Sequence, residues 1–286
     1  MSRIAFVNGR YVPQAEAAVH IEDRGYQFAD GVYEVVTVWR GRMVDEAGHL
    51  DRLDRSLAEL RIAEPMTRPS LQFVMRQIVR RNRIRNGMVY MQVTRGVARR
   101  DHPFPKGVAP SIVVSAKRVP PQKASLVEEG ARVISIPDIR WSRRDIKSIS
   151  LLPNVLGKQA AIEAGAVEAW QVTPDGFVTE GTATNAWIVD RDGRLITHPT
   201  THDILGGITR ASLLAVARAH GMEVEERRFT LEEARGAREA FLTSATNYVL
   251  PIVQIDDAVV GNGRPGTIAL RLRSLYMDFM DRAPAA

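Results

Sequence analysis

The sequence predicts an α+β protein of two domains, and three observations carry that reading. Short β-branched runs alternate with amphipathic helical stretches along all 286 residues. Near the middle, Pro120-Pro121-Gln122-Lys123 has the character of a linker, because paired prolines stiffen and extend a chain. No internal repeat or low-complexity segment points to a solenoid or a fibre. The expected division is a small N-terminal domain of residues 1–120 and a larger C-terminal domain of residues 121–286.

Residues 4–7 and 10–12 read as strands around Asn8-Gly9, a two-residue hairpin signal. Val32 to Trp39 is dense in β-branched and aromatic residues, with a Gly41-Arg42 turn and a second short strand behind it. HLDRLDRSLAELRI (49–62) sets Leu50, Leu53, Leu57 and Leu60 at helical spacing. A second helix over about 69–84 puts Leu71, Val74, Met75, Ile78 and Val79 on one face. Strands at 88–96 and 111–119 are joined by a basic loop, VARRDHPFPKG. After the linker, a strand at 131–136 and a helix at about 153–164 flank the segment around Lys147. Short strands follow at 169–172, 177–180, 186–189 and 195–197, with Pro174-Asp175-Gly176 and Asp192-Gly193 as turns. GGITRASLLAVARAHG starts a helix after two glycines and stops it at Gly221. A further strand-helix-strand set ends in AFLTSATNYVLPIVQI, and an amphipathic helix covers about 267–280.

Composition narrows the function. Hydrophobic content of 45% and charged content of 25% are ordinary for a globular protein. The chain has no cysteine, which excludes disulfides, thiolate metal sites and cysteine nucleophiles. No apolar run reaches bilayer length and the opening MSRIAFVNGRYV has no signal-peptide pattern, so a cytoplasmic enzyme without membrane partners is expected. A net charge of +6 invites a nucleic-acid-binding reading. Against it, the arginines are interleaved with acids, as in Asp51, Arg52, Asp54 and Arg55. The dense runs Arg80 to Arg85 and Arg140 to Arg144 lack aromatics for base stacking, apart from Trp141. Nucleic acid is therefore the remote alternative, and a small anionic substrate or phosphate cofactor accounts for the basic excess. His20, His49, His198, His202 and His220 show no metal-ligand spacing.

Among 39 basic residues only five are lysines: Lys106, Lys117, Lys123, Lys147 and Lys158. Arginine stays protonated and cannot form a Schiff base, whereas a lysine amine can lose its proton and attack a carbonyl. Lys147 sits between a basic segment and an apolar run, among Ile146, Ile149, Leu151 and Leu152, where an amine can be partly desolvated. A surface lysine in an arginine-rich loop is the competing reading. Gly206-Gly207-Ile208-Thr209 puts free N–H groups at a helix start, a phosphate-binding arrangement, though the same glycines also suit plain chain turning. Ser244-Ala245-Thr246-Asn247 is a second hydroxyl-bearing turn, and Arg52, early in a helix, offers a bidentate guanidinium or pairs with Asp51 or the neighbours of Asp54. Glu180 ends a strand before small and hydroxyl residues, where it either faces a pocket or caps a turn. A Schiff-base lysine, a phosphate cup and a carboxylate for a ring nitrogen are the set that pyridoxal 5'-phosphate requires.

The blocks DIKS around Lys147, EGTATN from Glu180 and LGGITR from Leu205, with EDRGYQFADGVYEVV and HLDRL before them, together resemble the fold-type IV aminotransferases over almost the whole chain. That resemblance implies a small and a large α/β domain with the cofactor between them, and a homodimer. It implies that Lys147 carries the cofactor and moves protons, and that Glu180 meets the pyridinium nitrogen. It assigns the phosphate to Arg52, Ile208, Thr209 and the turn of Ser244, Ala245 and Thr246, sets Leu205 against the ring, and puts Tyr33 in the substrate pocket. Arg100 and His102 match the arginine and histidine that, in the D-amino acid subfamily, bind the substrate carboxylate across the subunit interface. The implied reaction is ping-pong transamination of D-amino acids of the D-alanine and D-glutamate type with 2-oxo acids such as 2-oxoglutarate. Branched-chain L-amino acid and (R)-selective amine transamination on the same fold are the alternatives, and an amine has no carboxylate for that pair to hold. Trp187 and Ala245 depart from the family pattern, the first behind the cofactor and the second in the phosphate turn. Arg140 matches the family but takes no assigned role.

Overall fold

Asn8 and Gly9 both take positive φ, 45° and 91°, and turn β1 (Ile4–Val7) into β2 (Arg10–Pro13). Positive φ at both positions is what lets a two-residue turn follow the twist of its strands. The computed structural model describes residues 3–282 and divides them into two compact units. The first contains residues 3–120 together with Ile146–Ser150, and the second Pro121–Asp145 with Leu151–Arg282.

In the first unit a short helix, α1 (Arg24–Phe28), follows the hairpin, and then come β3 (Gly31–Trp39), β4 (Arg42–Met43), α2 (Glu46–Glu59), α3 (Arg68–Arg81), β5 (Gly87–Thr94) and β6 (Ser111–Arg118). The six strands form an antiparallel sheet ordered β2-β1-β6-β5-β3-β4. Leu50, Leu53 and Leu57 of α2 and Leu71, Met75 and Ile78 of α3 join Val32, Val36, Val89, Met91 and Val114 in one core. Alternation along a strand turns every second side chain to the other face. Val32, Glu34 and Val36 are therefore buried, while Tyr33 and Val35 are only half-buried on the far side. The helix read from residue 49 begins three residues earlier, at Glu46. The short α1 has no counterpart in the hydrophobic pattern; Asp23 starts it by accepting the Gly25 N–H, and Ala29 ends it in the left-handed region.

Residues 146–150 join this unit through backbone bonds rather than joining the chain around them. Tyr33 N–H donates to the Lys147 carbonyl at 3.0 Å, and Ile149 N–H donates to the Gly31 carbonyl at 3.1 Å. Ile146 is buried in the first core. A single division at 120/121 therefore leaves out these five residues.

The second unit holds α4 (Ala124–Glu128), β7 (Ala131–Pro137), α5 (Leu152–Glu163), β8 (Glu168–Val172), β9 (Val178–Gly181), β10 (Asn185–Val189) and β11 (Leu195–Thr197). It continues with α6 (Ile208–Ala219), β12 (Val224–Glu226), α7 (Leu231–Arg235), β13 (Glu239–Ser244), β14 (Tyr248–Ile255), β15 (Ala258–Val259) and α8 (Thr267–Asp281). Its nine-stranded mixed sheet runs β12-β11-β10-β13-β14-β7-β8-β9, with β15 on β14. β14 with β7 and β7 with β8 pair in parallel, whereas the central β10 and β13 pair antiparallel and are buried on both faces. Trp187 belongs to this core: it stacks on Phe241 at 5.3 Å and donates its indole N–H to Thr243 Oγ1. Strand packing and one satisfied donor thus accommodate a large ring at that position.

Candidate active site

Ile146 is buried in the first core, and Lys147 follows it at a bend, where the Ser148 N–H donates to the Ile146 carbonyl at 2.8 Å. The Lys147 Nζ lies 4.3 Å from the centroid of the Tyr33 ring, and the Lys147 backbone N–H donates to Ser56 Oγ at 3.3 Å. Among the described residues no carboxylate is within salt-bridge distance of Nζ. Tyr33 in turn has its ring 5.9 Å from that of Tyr90, its neighbour on β5. Burial pushes the Tyr90 hydroxyl up to about 12, so it stays a neutral donor, and it donates to Gln92 Oε1 at 2.6 Å. Tyr90 and Gln92 extend the Tyr33 face of the sheet. Their period-two spacing in MVYMQV was the available signal.

On the opposite face Glu34 is fully buried between β3 and α2. Arg52 donates to it through Nε and Nη2 at 2.7 and 2.9 Å, and His49 Nδ1 lies 2.8 Å from Oε2. Burial raises the Glu34 carboxyl, but the Arg52 guanidinium and the His49 hydrogen bond outweigh it and hold the group far below the usual carboxylate range. Burial lowers His49, so the ring is neutral and its Nδ1 must carry the proton, since an ionised carboxylate only accepts. Arg52 thus pairs with Glu34, while Asp51 and Asp54 face Arg68.

The basic loop after β5 carries the third group. Arg100 Cζ sits 4.6 Å from the centroid of the Phe28 ring, and the His102 ring lies 5.5 Å from the same ring. Arg100 forms no ion pair among the described residues, whereas Arg24 and Arg95 share the Asp30 carboxylate at 2.8 Å each. Arg100 and His102 thus share one aromatic platform, and neither forms an ion pair with a described residue.

In the second unit Glu180 accepts from Arg140, from Asn185 Nδ2 at 3.1 Å and from the Leu205 N–H at 3.1 Å. Arg140 also holds Asp138, and burial of that carboxyl is outweighed by Arg140, Thr179 and Arg144, which lower it. Burial alone would lower Arg140, but the Glu180 and Asp138 carboxylates raise it above its ordinary value. Arg140 thus has a place: it clamps the carboxylate at the end of β9. Asn185 links the two glycine- and hydroxyl-rich blocks, donating to Glu180 and to the Leu205 carbonyl at 2.9 Å.

Gly207 caps α6 without any side-chain partner for the first N–H groups, those of Ile208 and Thr209. A Cβ on Gly207 would sit 2.0 Å from Asn185 Oδ1, so any side chain there must displace the Asn185 amide. In the hairpin between β13 and β14, Ser244 Oγ accepts the Asn247 N–H at 3.0 Å and lies 3.4 Å from Thr246 Oγ1, with Ala245 between them. The expected site residues thus form separate groups within each unit: Lys147 with Tyr33, Arg52 with Glu34, Arg100 with His102, and Glu180 with Leu205. Among the described residues no group of three or more His, Asp or Glu could hold a metal ion. No described helix is long and apolar enough to cross a membrane.

Residues 31–255 match the amino-transferase class IV family. The chain is 41% identical over 272 residues to the D-alanine aminotransferase of Bacillus licheniformis, with 95% of each chain covered. It is 40% identical over 275 residues to that of Listeria monocytogenes serotype 4b (strain F2365), covering 95% of this chain and 94% of the relative. The chain belongs to the class IV aminotransferases. The matched span contains the expected site residues, from Tyr33 to Thr246. Among solved structures, a T.th. branched-chain amino acid aminotransferase with pyridoxamine 5'-phosphate superposes with a TM-score of 0.90 at 27% identity, covering 99% of this chain and 96% of that one. The Escherichia coli branched-chain enzyme, at 21% identity and a TM-score of 0.89, covers 99% of this chain and 96% of its own and shares the fold. The chain is thus an enzyme of the fold-type IV class, with an α+β fold.

Proposed function

We propose that this chain is a pyridoxal 5'-phosphate-dependent transaminase that transfers the amino group of D-amino acids such as D-alanine to 2-oxo acids such as 2-oxoglutarate. The observation that carries this reading is the Arg100 and His102 pair on Phe28, a carboxylate receptor in a chain whose Lys147 has no counter-ion among the described residues. The D-alanine aminotransferases that resemble it at 41% and 40% identity support the hand of the substrate. The branched-chain alternative rests on neighbours of lower identity, 27% and 21%.

The residues fit the cofactor on their own chemistry. The Glu180 carboxylate, held by Arg140, Asn185 and the Leu205 N–H, suits a pyridinium N–H. The uncapped start of α6, with Gly207 pressed against Asn185, suits a phosphate, with Ile208 and Thr209 offering N–H groups. Ser244, Ala245 and Thr246 add donors from the turn, Arg52 adds charge, and Leu205 offers an apolar side chain to the ring. When bound, the cofactor supplies an aldehyde carbon and an electron-accepting ring. Lys147 Nζ takes the proton from the substrate α-carbon and serves as both base and acid in the transfer. Tyr33, Arg100 and His102 orient the substrate, whose carboxylate stays on the guanidinium while the α-carbon reacts.

We further propose that the chain works as a homodimer in the cytoplasm, with Arg100 and His102 serving the partner's site. Helix α5 supports the dimer, because it leaves Leu152, Val155, Leu156 and Ile162 more than half exposed. Apolar surface grouped in this way marks an interface. The test is a half-reaction on the cofactor-loaded protein, mixed separately with D-alanine, L-leucine and (R)-1-phenylethylamine. Rapid loss of the cofactor's visible absorption with D-alanine alone is the expected result. Loss with L-leucine or the amine instead overturns the D-amino acid reading, and a protein that cannot bind the cofactor overturns all of it.

A further inference from the structure

Three contacts converge on one ring outside the residues assigned above. Arg24 and Phe28 stand four residues apart in α1 and so share one side of its turn. The Arg24 guanidinium lies 4.8 Å from the Phe28 centroid, and its Nε donates to Asp30 Oδ2 at 2.8 Å. The same guanidinium donates to the carbonyls of Asp101 and His102, at 2.6 and 3.3 Å. One buried side chain thus fixes both the ring and the loop backbone beside it. Helix α1 packs closely on the end of β5, since a Cβ on Gly25 would meet Thr94 Cγ2 at 2.2 Å.

We propose that Phe28, braced by Arg24, is the positioning residue for the carboxylate-binding pair, orienting Arg100 and His102 for D-amino acid substrates. The inference rests on the proposed function. A guanidinium that stacks on a ring commits its face to the contact and keeps its in-plane N–H donors for a carboxylate. Asp30, shared with Arg95, offsets part of the Arg24 charge and so eases its repulsion with Arg100 at the same ring. Arg100 keeps its charge for the substrate. Phe28 acts through Arg100 and His102 and touches no reacting atom.

The test uses the cofactor-loaded enzyme and D-alanine, following the loss of visible absorption in single turnovers. Phe28→Leu keeps apolar volume but removes the ring face, and is expected to raise the half-saturating D-alanine concentration roughly tenfold, with the limiting rate within about twofold. Phe28→Tyr restores the ring and is expected to behave as the parent. Unchanged half-saturation in Phe28→Leu, while Arg100→Ala raises it, overturns the inference and leaves the clamp standing. Unchanged half-saturation in Arg100→Ala overturns the clamp and this inference with it. Should Phe28→Leu fail to load cofactor, Arg24→Lys carries the test: it keeps the charge but not the fork, and the same rise in half-saturation is expected. Unchanged half-saturation there, or failure of both variants to load, shows that these residues serve the fold and refutes the positioning role.

Discussion

Replacing Glu34 by Gln removes one negative charge from a site with no access to water. The carboxylate accepts from Arg52 at 2.7 and 2.9 Å and meets His49 Nδ1 at 2.8 Å, whereas an amide offers one acceptor and turns an N–H₂ toward a donor. Glu34 is 0% exposed and the Arg52 side chain 10%, so the guanidinium is left nearly buried without its counter-ion. Breaking such a pair costs about 3–5 kcal/mol, a large share of the ~5–15 kcal/mol that holds a folded domain. At roughly 2–4 °C per kcal/mol for a domain of this size, the midpoint should fall by roughly 6–20 °C. The assay is thermal unfolding of the cofactor-free protein by circular dichroism, so that loss of a phosphate ligand does not enter. Because the two groups share one interaction, Glu34→Leu combined with Arg52→Met should cost less than the two single changes summed, by about 2 kcal/mol. A Glu34→Gln midpoint within about 2 °C of the parent, or additive single costs, would refute the reasoning.

Other perturbations read different parts of the molecule. His49 is held neutral by burial, so the unfolded chain gains a proton below its ordinary value of about 6.5 that the folded chain refuses. Stability should therefore fall with pH from there by up to about 1.4 kcal/mol per unit, and Glu34, whose folded value is depressed, adds a second loss below about 4.3. Urea midpoints between pH 7.5 and 5 measure the first loss, and His49→Gln should flatten it. Lys147→Ala should abolish both the visible cofactor absorption and turnover; a variant that keeps full transamination excludes Lys147 as the essential amine. Gly207→Ala drives a Cβ into Asn185 Oδ1, 2.0 Å away, and should weaken cofactor binding in an equilibrium titration while costing about 1–3 kcal/mol in stability. Unchanged affinity would remove the start of α6 from the phosphate site.

Much of the fold was legible because it is written in local periodicity. The leucines at 50, 53 and 57 and the alternation in MVYMQV each identify an element and its buried face without any distant partner. The α1 helix was not legible, since its five residues carry no period and depend on Asp23 and Ala29 at its two ends. Lys147, Glu180, Arg100 and His102 stood out by residue type and block order. Their surroundings did not. Nothing near Arg52 in the chain names Glu34 as its partner, because a strand and a helix meet there through burial rather than sequence proximity. Arg140 had no assignable role until Glu180 and Asp138 were found around it, and Phe28 none until two arginines and a histidine were found against its ring. The sequence by itself determined the class of elements, and it singled out the candidate amine and the candidate anion receptors, which rest on local pattern and side-chain chemistry. Only the tertiary structure decided that residues 146–150 pair with β3, which charges neutralise one another, and that Arg100 keeps its charge without an ion pair among the described residues. Those outcomes depend on contacts between residues far apart in the chain, whose strength is set by burial and geometry.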